Sequence, residues 1–180
     1  MNRFDILVVG AGHAGCEAAL AAAHLGRRVA LITLRREQIG RLSCNPAIGG
    51  LAKGCLVREI DALGGVMGRV ADETTIQFRR LNTRKGLAVQ ASRAQVDIDL
   101  YPKAMARRIN ANPNITLIEG EATEIRVTGD RVTGLRLGSD AILEADAVVL
   151  TTGTFLGGVL HRGPEQTAGG RVGESAAYAL

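Results

Sequence analysis

Three groups of residues in this chain have types and spacings that could do chemistry. The first is Gly10-Ala11-Gly12-His13-Ala14-Gly15, which fits G-x-G-x-x-G. That spacing suits the pyrophosphate of a dinucleotide. Gly10 makes the tight turn out of a strand. Gly12 lets the backbone approach the phosphates with no Cβ in the way. Gly15 lets the following helix pack close to the strand. The anion then sits at the positive end of that helix, among N–H groups without partners. His13 lies inside this loop, where its backbone matters more than its ring. The pattern has this meaning only between a strand and a helix.

The second group is Asp146-Ala147-Val148-Val149-Leu150-Thr151-Thr152-Gly153-Thr154. A buried strand that empties into small residues lets the backbone run beside a cofactor. Thr152 and Gly153 are therefore candidate contacts, and Ala122 is placed with them. Two separated stretches of this kind resemble the flavoproteins that hold FAD between them, so FAD is expected here before NAD. An acid for the adenosine ribose usually ends the second strand of such a unit. Here the strand ends in Thr33-Leu34-Arg35-Arg36, and Glu37 comes late. Arg35 and Arg36 could meet the 2′-phosphate of NADP, or form a solvated loop.

The third group is cationic. Thr74 to Val96 contains no acid and holds Arg79, Arg80, Arg84, Lys85 and Arg93. Such a stretch can hold a cofactor or substrate anion, attract RNA backbone, or be solvated. Beside these groups stands Cys44, next to Asn45-Pro46 and ahead of a helix. A thiolate nucleophile and a buried inert thiol both fit that setting. The position five residues on is Gly49, which argues against a redox C-x-x-x-x-C pair. Cys16 falls on an Ala-rich helix and reads as core. Cys55 starts a later helix and is left undecided. His24 and His161 have no metal-ligand spacing.

The elements that must position these groups follow from the apolar pattern. Phe4 to Val9 is a strand, 13–25 a helix stopped by Gly26, and Val29 to Leu34 a second strand. That is a βαβ unit with parallel strands. Residues 40–54 read as a structured loop. Leu56, Val57, Ile60 and Leu63 then share one helical face, ended by Gly64-Gly65. Residues 92–110 read as a helix with Ile98, Tyr101, Met105 and Ile109 on one side. Pro102 inside it would cost about 3 kcal/mol, so a kink or restart is expected. Ile115 to Ile118 is a third strand. Residues 122–128, 131–137 and 141–143 form an antiparallel meander around Gly129-Asp130. Ala147 to Leu150 is a further buried strand. The last residues, from Gly173, read as the start of a helix, so the chain reads as the beginning of a longer protein and an incomplete domain. The fold class is α/β, a Rossmann-like FAD/NAD(P)-binding domain over 1–180 with a parallel sheet and a small meander.

Composition agrees. The 180 residues are 46% hydrophobic and 22% charged, which excludes a disordered tail or a fibre. Aromatics are only 3%, so the core must be aliphatic. The net charge of +4 permits an acidic partner without demonstrating one. No apolar run reaches about 18 residues, so no membrane span is expected. Three cysteines make a poor disulfide framework. With no signal-peptide pattern, the expected place is the cytoplasm.

One block is specific. Ser43-Cys44-Asn45-Pro46-Ala47-Ile48-Gly49-Gly50, then Lys53-Gly54 and Glu59-Ile60-Asp61-Ala62-Leu63-Gly64-Gly65, resemble the signature of the GidA/MnmG family. Ile76-Gln77-Phe78, Arg93-Ala94-Gln95, Thr152-Gly153-Thr154-Phe155-Leu156 and Gly169-Gly170-Arg171 continue the match. Leu87 stands where the family usually has Pro. The resemblance implies an FAD-dependent tRNA uridine 5-carboxymethylaminomethyl modification enzyme, working on C5 of the wobble uridine with an MnmE-type GTPase. It implies NADH and methylenetetrahydrofolate as co-substrates and a homodimer in full-length form. It implies that the later NADH-binding and helical C-terminal domains are absent here and the fragment alone inactive. It gives Cys44 the catalytic role of adding to uridine C6. Two alternatives stay open: a folate- and FAD-dependent tRNA uridine methyltransferase, and a non-catalytic flavin-binding fragment.

Overall fold

A computed structural model describes residues 3–42 and 45–180. The βαβ unit opens the chain: β1 (Ile6–Val9), α1 (His13–His24) and β2 (Val29–Thr33). After a 3-10 turn at Arg36–Gln38 come β3 (Ala47–Gly49), α2 (Lys53–Ala62), α3 (Met67–Thr74) and β4 (Thr75–Leu81). A second 3-10 turn, Leu87–Val89, leads to β5 (Ala91–Val96), α4 (Leu100–Ala111) and β6 (Ile115–Glu119). Then follow β7 (Ala122–Thr128), β8 (Arg131–Leu137), β9 (Ile142–Glu144) and β10 (Ala147–Leu150). A hairpin, β11 (Val159–Arg162) and β12 (Glu165–Ala168), is the last pair.

The central sheet is parallel, in the order β10-β1-β2-β6. Its middle strands bury both faces, which is why they read as unbroken aliphatic runs. Val8, Val29 and Leu31 meet Cys16, Ala19, Tyr101, Met105 and Ile109 from α1 and α4. Leu7, Val9, Ala30 and Ile32 face the meander through Leu135, Leu137 and Leu143. Alanines on α1 let the helix lie close to the sheet. From β1 the chain goes to β2 and β6 on one side, and β10 returns on the other. The strand order therefore reverses at β1/β10, and the crevice at the carboxyl ends there is where open α/β sheets bind ligands.

The βαβ unit, the third strand and the meander follow the sequence reading. Six features do not. The loop 40–54 contains β3, paired with β5, and α2 starts before the loop ends. The face of α2 carrying Leu56 and Leu63 is largely exposed, at 59% and 89%. Residues 92–96 are strand, not helix, because Ala91, Ala94 and Val96 are buried between β3 and β4. The helix starts at Leu100, so Pro102 stands in its first turn, where an N–H would have no helical acceptor. No kink is needed there. The Asp97 carboxylate accepts hydrogen bonds from the N–H groups of Asp99 and Leu100, at 2.9 and 2.8 Å.

Strand β10 is half-exposed rather than buried, because it lies at the sheet edge with β1 as its one neighbour. Residues 173–180 are not helical; Glu174 there is held by side chains from elsewhere, and Ala177 pairs its backbone with Phe155 and Gly157. Among the described residues no helix is long and apolar enough to cross a membrane.

Candidate functional site

The glycine loop has the geometry its spacing requires. Gly10 leaves β1 with φ +101°, a left-handed value that disfavours any Cβ. A Cβ there would also overlap the Thr151 carbonyl oxygen. Gly15 is buried, and a Cβ on it would overlap the Gly10 carbonyl oxygen and come 2.7 Å from Thr151 Oγ1. Gly12 is different. A Cβ on it would meet nothing within 4 Å. The chain's own packing does not require glycine there. Gly12 is also the N-cap of α1, and no side chain caps that end. The first amides of the helix therefore have no side-chain acceptor from a cap.

Thr151 fastens the second stretch to the first. Its N–H donates to the Val9 carbonyl oxygen at 2.8 Å, and its Oγ1 lies 2.8 Å from that oxygen and 3.0 Å from the Gly10 carbonyl oxygen. Between the stretches lies a cleft of about 150 Å3, open on one side. Gly10, Ala11, Gly12, Ala122, Thr152 and Gly153 all line it. His13, Ala14 and Gly15 do not. Gly15 is buried behind the loop, and His13 and Ala14 face a second groove on the α2 side.

The cleft also has a polar wall that the sequence did not signal. Glu174 accepts hydrogen bonds from Gln38 Nε2 at 3.0 Å and Arg41 Nη1 at 2.7 Å, and Arg171 Nη1 is 4.0 Å away. No local pattern joins residues this far apart in the chain. No acid ends β2; instead Thr33 Oγ1 donates to the Arg35 carbonyl oxygen, 3.1 Å away. Glu121 lines the cleft from the far end of the sheet. Arg36 is engaged by β6, with its N–H on Glu119 and its guanidinium 3.3 Å from the Leu117 carbonyl oxygen. That favours the ordinary reading of Arg36 over a 2′-phosphate contact.

The second groove runs between the start of α1 and α2. Its floor is apolar, with Leu42, Ile48, Leu56, Val57, Ile60 and Met67; Asn45, Lys53 and Arg93 supply polar groups. Cys44, the catalytic candidate, lies outside the described residues. Its neighbours Leu42 and Asn45 both line this groove. The His13 ring meets the Tyr101 ring edge-on at 5.7 Å. Burial, then the Lys53 charge, pushes the His13 pKa down, which favours the neutral imidazole. Cys16 is fully buried, as read from its helix, and Cys55 is exposed. Among the described residues no cluster of three or more His, Cys, Asp or Glu could hold a metal ion.

Comparison with known proteins gives a consistent family. The family model described as glucose inhibited division protein A, GIDA, matches residues 5–180. The tRNA uridine 5-carboxymethylaminomethyl modification enzyme MnmG of Desulfotalea psychrophila is 52% identical over all of this chain, which covers 28% of that protein. The structure of GidA from Aquifex aeolicus superposes with a TM-score of 0.94 at 49% identity, over 99% of this chain and 30% of that one. A GidA-related protein from Thermus thermophilus shares the fold, with a TM-score of 0.70 at 21% identity, over 98% of this chain and 65% of that one. The chain thus spans less than a third of the length of the curated relatives it matches.

Proposed function

The chain belongs to the GidA family, and we propose that it forms the FAD-binding part of an enzyme that modifies C5 of the wobble uridine of tRNA. Residues 1–180 serve as a Rossmann-like FAD-binding domain in this reading. The observation that carries it is the empty space in front of Gly12, at an uncapped helix end beside a cleft. Such a cradle suits a pyrophosphate. Gly10, Gly12 and the amides of His13, Ala14 and Gly15 would hold it, with Ala11, Ala122, Thr152 and Gly153 along the rest of the cofactor. Bound FAD would supply the redox chemistry.

Cys44 would add as a thiolate to uridine C6, which makes C5 nucleophilic. C5 then attacks the methylene carbon of an iminium derived from methylenetetrahydrofolate and glycine or ammonia; the C=N π pair moves onto nitrogen, C5 loses its proton, and the thiolate leaves as the C5–C6 double bond returns. The same proposal takes NADH and methylenetetrahydrofolate as co-substrates, an MnmE-type GTPase as partner, a homodimer as the working form and the cytoplasm as its place.

The test is on the full-length protein. It should purify with flavin absorbance and modify tRNA, while Gly12→Val should lose the flavin and keep its fold. A Gly12→Val protein with wild-type flavin content would overturn the cofactor assignment. Cys44→Ser should keep the flavin and lose modification of tRNA; modification at the wild-type rate would remove the nucleophile role.

A further inference from the structure

The cationic stretch forms most of one small sheet, in the order β3-β5-β4. Its register sets two rows across one face: Gly49, Arg93 and Arg79, and beside them Ala47, Gln95 and Gln77. Arg79 stands directly opposite Arg93. Like charges at directly opposed positions destabilise a sheet. Cations on an edge strand are a common protection against edge-to-edge pairing, and that accounts for Arg79 and Arg80 on β4. It does not account for Arg93, which is on the central strand. Ala47 is small beside the two glutamines, and Gly49 puts no side chain beside Arg93, its own Cβ direction being filled by the Ser92 carbonyl oxygen.

The charges are also unspent. Elsewhere eight arginines have a carboxylate within 4.0 Å and, among the described residues, seven do not, so what sets this stretch apart is five cations clustered with no acid among them. Among the described residues, Arg79, Arg80, Arg84, Lys85 and Arg93 form no such pair. These five exceed the net charge of the whole chain, +4. Arg93 also reaches the wall of the apolar groove with Lys53 and Asn45. Arg93 therefore joins the cationic ribbon to the apolar-floored groove.

We propose that this face of the β3-β5-β4 sheet, with the Arg84-Lys85 turn, is a contact surface for the phosphate backbone of a single-stranded loop of RNA. The inference rests on the tRNA substrate proposed above, and adds where the chain grips it. Phosphates lie between Arg79 and Arg93, relieving their opposition, and along the β4–β5 turn. The glutamine amides are placed to meet base or ribose edges.

The experiment uses full-length protein and unmodified tRNA, with the dissociation constant measured across a salt series. Two double variants are compared: Arg79→Gln with Arg93→Gln, and Arg84→Gln with Lys85→Gln. The second pair lies in an exposed turn and keeps the test valid if the first fails to fold. For single strands each phosphate contact contributes about 0.7 to the slope of log K against log salt. Each pair should therefore lower the slope by about 1.4 and weaken binding roughly 25-fold at 0.1 M salt. Flavin content should stay at the wild-type level. Arg126→Gln with Arg131→Gln, on the meander, should change neither property. Variants that bind tRNA with wild-type affinity and slope would overturn the surface while leaving the proposed function standing. Loss of flavin with tRNA binding intact would overturn it too, by assigning the cations to the cofactor. A wild-type protein that binds no tRNA would overturn the proposed function, and this surface with it.

Discussion

Thr151 and Gly10 are locked to each other. The Thr151 hydroxyl lies 3.0 Å from the Gly10 carbonyl oxygen, and the absence of a Cβ on Gly10 is what lets the Thr151 carbonyl approach. This joins the edge strand β10 to the glycine loop. Thr151→Val keeps the shape and removes the hydroxyl. It should cost about 1 kcal/mol, as the loss of one intramolecular hydrogen bond does. For a chain of this size that is a fall of about 2–4 °C in melting temperature. Flavin affinity should fall with it, because the loop loses its tie to β10. A melting temperature and flavin affinity both equal to wild type would mean that the hydroxyl does not hold the loop.

The glycines of the loop should separate by phenotype. Gly15→Ala puts a methyl group into the Gly10 carbonyl, so helix and strand must part. Overpacking of this kind typically costs about 1–3 kcal/mol, and backbone contacts on one side place Gly15 at or above the upper end. Gly12→Ala enters open space at φ −71°, ψ −169°, a region open to alanine. It should lose only about 1 kcal/mol or less as a weaker N-cap. Thermal melts of the two variants without cofactor decide this. Equal destabilisation would remove the argument that Gly12 is glycine for a ligand's sake.

How much of this was legible in the sequence depended on the range of the interactions. The glycine loop, β1, α1 and β2 are local patterns, and the structure repeats them nearly residue for residue. The meander was equally legible, because Gly129-Asp130 marks its turn. Residues 92–96 misled because Ala91, Ala94 and Val96 are also compatible with a helix. What makes them strand is β3 and β4 on either side, and β3, Ala47–Gly49, carries no strand pattern in its sequence. Pro102 misled through the same boundary: moving the helix start to Leu100 turns a breaker into a first-turn residue. The Glu174 contacts to Gln38 and Arg41 had no signal, since they join distant segments through side chains alone. Cys44 was singled out by its neighbours in sequence, and it lies outside the described residues.

Glu17 supplies a cap that crosses between helices. Its carboxylate on α1 accepts hydrogen bonds from the N–H groups of Val66, at 3.0 Å, and Met67, at 2.6 Å. These are the first amides of α3, and nothing in α3 itself caps them. A charged acceptor at a helix N-terminus combines a strong hydrogen bond with a favourable dipole contact. Glu17→Ala should destabilise the chain by about 2 kcal/mol, and Glu17→Gln by less, since one acceptor oxygen remains. Chemical denaturation measures both. An alanine variant within 0.5 kcal/mol of wild type, a change ordinary for plain surface substitutions, would show that water replaces the cap at no cost.

Cys16 makes stability depend on alkaline pH. Its side chain is fully buried, with Sγ 3.3 Å from the Ala11 carbonyl oxygen, and burial pushes its pKa up to about 12. In the unfolded chain a thiol titrates near 8.5. The folded pKa is therefore the higher one. Below about pH 8.5 the proton is on the thiol in both states, and the contribution to stability is complete. Above it the unfolded chain releases a proton that the native chain keeps, so stability falls at up to about 1.4 kcal/mol per pH unit. The loss ends where the native thiol itself ionises. Tyr101, buried against the same helix, has its pKa raised by burial and adds to the loss higher in the range. Denaturation midpoints at pH 8 and pH 10 should differ by about 2 kcal/mol in the wild type through Cys16. Cys16→Ala should start less stable at pH 8 and lose less between the two values. A variant whose stability falls by the same amount as wild type would assign the alkaline loss to other groups, and would mean that Cys16 ionises in the folded chain as readily as in the unfolded one.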